Sequence, residues 1–185
     1  MKRDNFYILT GAPGAGKTTV LEALRARGHR CVDEAARRVL REEARTGGNA
    51  THDGDRALYR DRMLALGLDD YHGVAETARP VFFDRAIPEL SGYGNRPGEG
   101  DPPALIGAIA ACRYADTVFV FPPWREIYVH DDLRKHSFEH ALAVDAEVRA
   151  VYARCGYRTV EMPKADVEAR VRFILRAVAD SSAKN

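Results

Sequence analysis

No stretch of this chain approaches the roughly 20 apolar residues that a membrane-spanning helix needs. An excess of charge of one sign is missing as well. The formal net charge is +1, and acidic and basic residues are interspersed along the 185 positions. That balance gives no basis for a nucleic-acid-binding stripe, an anionic membrane surface as partner, or a charged disordered tail. Cysteine is scarce, with three in all, at Cys31, Cys112 and Cys155. An odd, widely spaced set in largely apolar settings reads as reduced core thiols, and no Cys/His spacing suits a metal. The opening Met1-Lys2-Arg3-Asp4-Asn5 leads straight into an apolar stretch, without the pattern of a signal peptide. These absences predict a cytoplasmic protein with neither a nucleic-acid nor a membrane partner. The length suits one α/β domain over residues 1–180, with a frayed tail over 181–185.

What the chain does have is Gly11-Ala12-Pro13-Gly14-Ala15-Gly16-Lys17-Thr18. The run fits the phosphate-binding pattern G-x-x-x-x-G-K-[ST] at every fixed position. Phe6-Tyr7-Ile8-Leu9 before it reads as a buried strand. Thr18 to Leu24 after it reads as a helix with Val20, Leu21 and Leu24 on one face. Strand, glycine loop and helix form the context the motif needs. Glycines let the backbone curl so that successive N–H groups face a polyphosphate, and the helix N-terminus adds unpaired donors and partial positive charge. Residues Gly11 to Thr19 are therefore the expected nucleotide-binding segment. Lys17 is expected to reach the β- and γ-phosphates, and the Thr18 hydroxyl to hold Mg²⁺. No guanine-reading Asn-Lys-x-Asp signature occurs, so ATP is the default nucleotide.

Strand and helix signals alternate along the rest of the chain. Strands are expected at Arg30–Val32, Pro80–Asp84, Thr117–Phe121 and Tyr157–Met162. Helices are expected from Glu34 to about Ala44, from Asp53 to Glu76 with interruptions at Gly67 and Gly73, from Ala104 to Cys112, from Ser137 (an N-cap) to Arg154, and from Ala165 to Ala179. The turn-rich stretch Gly92 to Pro103 reads as a mobile surface loop. Five strands separated by helices imply an α/β fold, a three-layer sandwich whose parallel sheet is covered on both faces. Ligands in such folds sit at the carboxyl ends of the strands. The rule gathers the glycine loop, Asp33-Glu34, Asp84-Arg85 and the segment after Pro122 at one site.

Each of these residues has a specific chemistry there. Asp84 stands where phosphate-loop enzymes place the carboxylate that holds Mg²⁺ through water, though a helix N-cap or a salt bridge to Arg85 would also explain it. Arg85 is either a phosphate or acceptor ligand or a structural partner of Asp84. An acid after the second strand takes the proton of the acceptor hydroxyl in kinases of this architecture, which makes Asp33 or Glu34 the base unless both merely serve the helix dipole. Arg37, one turn later, is an ion-pair partner of these acids or an acceptor contact. The charged segment 122–135 sits where a lid belongs, with Arg125 and Arg134 as its cations. The competing reading is a solvated loop.

The chain resembles the family of small AAA-type phosphate-loop proteins that includes the ribosylnicotinamide kinase domain of bacterial NAD regulators. The resemblance rests on Gly11 to Thr18, on Asp33-Glu34-Ala35-Ala36-Arg37, on Phe83-Asp84, and on Thr117 to Pro123 leading to Val129-His130-Asp131-Asp132-Leu133-Arg134, with Gly156-Tyr157 before the last strand. It spans Tyr7 to about Pro163. It implies the phosphate-loop NTPase fold of nucleoside-kinase type, ATP-binding, with Arg134 in the lid and Glu34 and Arg37 near the acceptor. The pair Asp84-Arg85 looks more like that of deoxynucleoside and nucleotide kinases. The expectation is a Mg²⁺-dependent phosphotransferase acting on ATP and a small hydroxyl-bearing acceptor, nucleoside-like or vitamin-like. The rival is a nucleotide-binding switch or ATPase without such an acceptor.

Overall fold

Every residue of the first strand, β1 (Phe6–Gly11), is buried, and its side chains alternate between two separate apolar clusters. Phe6 and Ile8 enter one, Tyr7 and Leu9 the other. A strand buried on both faces has to lie at the centre of a covered sheet. In the computed structural model, which describes residues 2–127 and 138–182, β1 does so. The other strands are β2 (Arg30–Val32), β3 (Val81–Asp84), β4 (Thr117–Phe121) and β5 (Arg158–Glu161), in the order β2-β3-β1-β4-β5. All pairings are parallel. β4 is wholly buried, whereas β2 and β5 at the edges are partly exposed. Hydrophobic bulk thus predicts rank in the sheet.

Among the described residues, α1 (Lys17–Ala26), α2 (Ala35–Thr46), α3 (Arg56–Gly73), α4 (Pro103–Ala111) and α5 (Phe138–Arg154) lie in the crossovers, and α6 (Val167–Ser182) follows the last strand. Leu21 and Leu24 of α1 and Val171, Ile174 and Val178 of α6 cover the Tyr7/Leu9 face. Tyr71 of α3, Leu105 of α4 and Tyr152 of α5 cover the Phe6/Ile8 face. Helix α2 packs on α3 around Val39, Tyr59 and Met63. The expected α/β three-layer architecture is the observed one.

Some local readings need correction. Gly67 does not interrupt α3, which is continuous to Gly73. A Cβ at Gly67 would lie 3.0 Å from Ile87 Cγ1, so this glycine admits a close neighbour. Helix α6 continues through Asp180 and Ser181 into the supposed tail, and the Ser181 hydroxyl donates to the Ala177 carbonyl at 2.8 Å. The stretch after Gly92 is tied down. Asp101 accepts from the Gly92 N–H at 2.7 Å and from Asn95 at 2.8 Å, and Asn95 accepts from Arg60 of α3 at 2.7 Å. The expected N-cap Ser137 lies outside the described residues.

The sheet order positions the site. Strand β1 lies between β3 and β4 while the chain itself runs first to β2, so the crevice beyond β1 opens between divergent crossovers. Gly11 ends β1 opposite Phe121, with φ of 124°. A Cβ there would come within 2.2 Å of the Phe121 carbonyl oxygen, so only glycine lets the chain turn out of the sheet at this point.

Candidate active site

The glycine loop links β1 to α1 and lies in the middle of a cavity of about 660 Å³ at the carboxyl edge of the sheet. Thr18 and Thr19 on the first turn of α1 are exposed, whereas Lys17 is buried. The Lys17 ammonium donates to the carbonyls of Gly11 and Ala12, both at 3.2 Å. Burial, with the Arg85 charge acting in the same direction, pushes it down to about 8.

The sheet order divides the cavity wall into two arms. On the β3 side stand Glu34, Ala36, Arg37 and Leu40 from the start of α2, with Tyr59 from α3. On the β4 and β5 side stand Trp124, Ile127, the Ala165–Val167 turn and Arg170 of α6. Asp84 and Arg85 close the floor beside the loop.

Arg85 organises the β3 side. It is the sole non-glycine with positive φ among the described residues, at 63°, a conformation that costs about 1–2 kcal/mol. Its side chain overdetermines that backbone. Nε lies 3.1 Å from Glu34, Nη1 donates to Glu89 at 2.5 Å, and Nη2 donates to the Gly11 carbonyl at 2.9 Å. Tyr152 donates its hydroxyl to the other oxygen of Glu89 at 2.7 Å, and Arg37 donates to Glu34 at 2.9 Å. Glu34 therefore sits between two guanidinium groups. Burial acts to raise its pKa, but Arg85, Lys17 and Arg37 outweigh that and hold it below the ordinary range, so it stays ionised.

Asp84 is in the opposite condition. Among the described residues, the partners that would explain it structurally are absent. The next turn, Ile87–Leu90, has Ala86 at its N-cap, and Arg85 pairs with Glu34 and Glu89 instead. Its Oδ1 is buried with no hydrogen-bond partner. Burial raises its pKa; Glu34 and Glu89 add to the rise, against Lys17 and Arg85. A buried carboxylate oxygen without a donor suits a hard cation. With the Thr18 hydroxyl it supplies an all-oxygen donor set, and no cluster of three or more His, Cys, Asp or Glu forms a metal cage among the described residues. Such a sparse set matches Mg²⁺, which keeps most of its waters and phosphate ligands.

Two expected residues lie elsewhere. Asp33 turns away to an ion pair with Arg25 of α1 and does not line the large cavity. Arg125 also lies off the wall, its guanidinium 4.3 Å from the ring of Phe138, while its neighbour Trp124 faces in. Arg134 and the rest of the proposed lid from Tyr128 onward fall outside the described residues. Sequence reasoning missed Glu89, Tyr59, Trp124 and Arg170 as wall or support. For Arg170 a signal existed, since it falls on the apolar stripe Val167, Arg170, Val171, Ile174, Val178, where a charge needs a reason. Glu89 carried none.

The family model described as an AAA domain matches residues 6–170. This chain belongs to the AAA domain family. The match takes in every strand and the start of α6, and so includes Arg170. No curated protein sequence matches the chain. Among solved structures, the AAA-domain chain is similar to shikimate kinase from Acinetobacter baumannii in complex with shikimate, at TM-score 0.58 and 15% identity over 95% of this chain and 93% of that one. It is also similar to shikimate kinase from Aquifex aeolicus, at 0.54 and 14% over 99% and 98%. Deoxyadenosine kinase from M. mycoides, with products dCMP and a flexible dCDP bound, scores 0.58 at 14% identity over 97% and 99%. At such identities these likenesses establish the phosphate-loop kinase fold. No helix among the described residues is long and apolar enough to cross a membrane.

Proposed function

We propose that the protein is a phosphotransferase that moves the γ-phosphoryl group of ATP to a small hydroxyl-bearing acceptor. The observation that carries this reading is the two-armed cavity. The glycine loop lines it, with Trp124 and the Ala165–Val167 turn in one arm and Glu34, Leu40 and Tyr59 in the other. A nucleotide fills only one arm. The second holds an ionised carboxylate, a cationic pair and apolar walls, which suits a second small molecule.

In the transfer, the bond from the γ-phosphorus to its bridging oxygen breaks and a bond to the acceptor hydroxyl oxygen forms. Glu34 accepts the hydroxyl proton and ADP leaves. Such transfers have a loose transition state, so positioning and charge neutralisation matter more than covalent chemistry. Lys17 leaves its carbonyl partners when a nucleotide binds and reaches the β- and γ-phosphates. Thr18 and Asp84 would hold Mg²⁺, which neutralises charge building on the phosphate oxygens when it is bound. Arg85 and Arg37 orient Glu34 and face the acceptor; Tyr59 and Leu40 form its apolar wall. Asp33, paired with Arg25, is not assigned the base role. Nucleosides and vitamin alcohols are the acceptor class, supported by the resemblance to ribosylnicotinamide kinase domains and by a fold shared with kinases whose structures hold shikimate or dCMP.

The test is ADP release from MgATP with a panel of nucleosides, sugars and vitamin alcohols. At least one acceptor should raise the rate tenfold or more above the rate without it, in keeping with the larger share of catalysis that positioning supplies. ATP hydrolysis indifferent to every acceptor would instead make the protein an ATPase or switch.

A second expectation follows from Lys17. The free protein holds this amine at about 8, whereas a bound phosphate favours the charged form. Nucleotide binding should therefore take up a proton between about pH 8 and 10, and affinity should fall as pH rises above 8. Calorimetric titrations of MgADP at pH 8.5, in buffers of different ionisation enthalpy, measure the uptake. An enthalpy independent of buffer would contradict the role given to Lys17.

A further inference from the structure

Three cations are buried among the described residues, Lys17, Arg60 and Arg170. Arg60 pairs with Asp61. Lys17 and Arg170 donate to backbone carbonyls and to no carboxylate. Both touch the glycine loop, Lys17 at the Gly11 and Ala12 carbonyls and Arg170 at the Ala15 carbonyl. Arg170, 4% exposed, reaches from α6 to donate from Nη1 to the Ala15 carbonyl at 3.1 Å and from Nε to the Pro163 carbonyl at 3.1 Å. Its guanidinium lies 4.6 Å from the ring centre of Trp124 and 5.7 Å from that of Phe121. One side chain thus ties together the turns that follow β1, β4 and β5. Burial pulls its pKa below that of an ordinary arginine.

The bond to Ala15 has a consequence on the far side of the same peptide. The peptide unit is planar and trans, so its carbonyl and the following N–H point in opposite directions. While Arg170 holds the Ala15 carbonyl, the Gly16 N–H is turned the other way, and no acceptor among the described residues takes it. Gly16 adopts φ of 81°, and a Cβ on it would lie 2.8 Å from Arg170 Nη1. The guanidinium sits against the loop where any larger residue than glycine would meet it.

We propose that Arg170 is a positioning residue of the phosphate site, which aims the Gly16 N–H at the polyphosphate of a nucleoside di- or triphosphate and adds an unneutralised positive charge on that side. The inference rests on the nucleotide-binding reading above. It differs from it in giving the loop an internal support from the last helix. Lys17 binds phosphate directly, whereas Arg170 works through the loop backbone.

The probes are MgADP and inorganic tripolyphosphate, each titrated into the whole protein. Fluorescence of Trp124, the single tryptophan of the chain, which rests on Arg170, follows binding. R170Q is expected to weaken both probes by about 10- to 100-fold, the range for losing a charged hydrogen bond and its charge. Equal loss with tripolyphosphate matters, because that probe has no base to touch Trp124. The affinity of R170Q should also fall less steeply with salt than the parent's, since one cation is missing; a purely structural support would leave the salt dependence unchanged. R170K keeps the charge but not the forked donors, so it should lose about 3- to 10-fold and keep the parental salt dependence. If R170Q does not fold, R170K decides alone by its affinity for tripolyphosphate: a loss of about 3- to 10-fold supports the role of Arg170, and parental affinity overturns it. Parental affinity for tripolyphosphate in the arginine variants, with binding lost in Lys17→Ala, would overturn the role of Arg170 and leave nucleotide binding intact. A parent protein that binds neither probe would overturn both.

Discussion

Lys17→Ala is expected to weaken MgADP binding about a hundredfold or more and to abolish ATP turnover, while leaving a folded protein. The size follows from losing the charge-assisted bonds of one ammonium to two phosphates. The tolerance of the fold follows from what Lys17 does without nucleotide. Its ammonium is buried, bonded only to the Gly11 and Ala12 carbonyls, and pushed down to about 8 by that burial. An unfolded lysine keeps its proton up to about 10.5, so folding at neutral pH carries the full cost of burying the charge, about 3 kcal/mol. That cost fades as pH rises from about 8 to 10.5, and the parent should gain stability across the window. Lys17→Met, which keeps the volume and removes the charge, should melt several degrees higher than the parent at pH 7 and lack that rise. Thermal melts at pH 7 and pH 10 check the stability arm, and MgADP titration checks binding. Parental ATP turnover in Lys17→Ala would remove the loop from the chemistry.

Asp84→Asn is expected to lower kcat by about 100- to 1,000-fold at saturating Mg²⁺, while ADP affinity stays within a few-fold of the parent. The carboxylate has a buried oxygen without a partner and is not used as a helix cap. On the function proposed above, it holds a cation whose charge counts most as the phosphoryl group leaves. The amide is close in shape and removes a buried negative charge that burial already disfavours. Stability should therefore hold or rise. Steady-state rates across a Mg²⁺ titration, with a melt at the same pH, distinguish this from a structural role. A variant with parental turnover would take Asp84 out of the site, and one with lowered stability and proportionate loss of binding would make it structural.

The fold was legible because its signals are local. Val118 to Phe121 and Phe6 to Leu9 are apolar on both alternating faces, and a strand with that pattern has to be central in a parallel sheet. The phosphate loop was legible for the same reason, since all its parts lie within eight consecutive residues. The choice between Asp33 and Glu34 was not. The two are adjacent, so the local signal is equal, and what separates them is distant: Arg25 on α1 draws one outward, and Arg85 beyond β3 draws the other in. Arg125 shows the same limit, because a cation in a charged loop can stack on a ring just as readily as face a phosphate.

By itself the sequence determined the phosphate loop, the parallel α/β order, and the acids and cations that the strand ends carry to one edge. Each follows from covalent proximity or from periodic burial, which a linear chain displays. Only the tertiary structure decided which charges are neutralised. Arg85 is held by Glu34, Glu89 and the Gly11 carbonyl, the Asp84 Oδ1 is left without a donor among the described residues, and Arg170 reaches across 155 positions to the Ala15 carbonyl. Net interaction energies of charges depend on burial and on distances of a few ångströms in space, and neither is encoded in spacing along the chain.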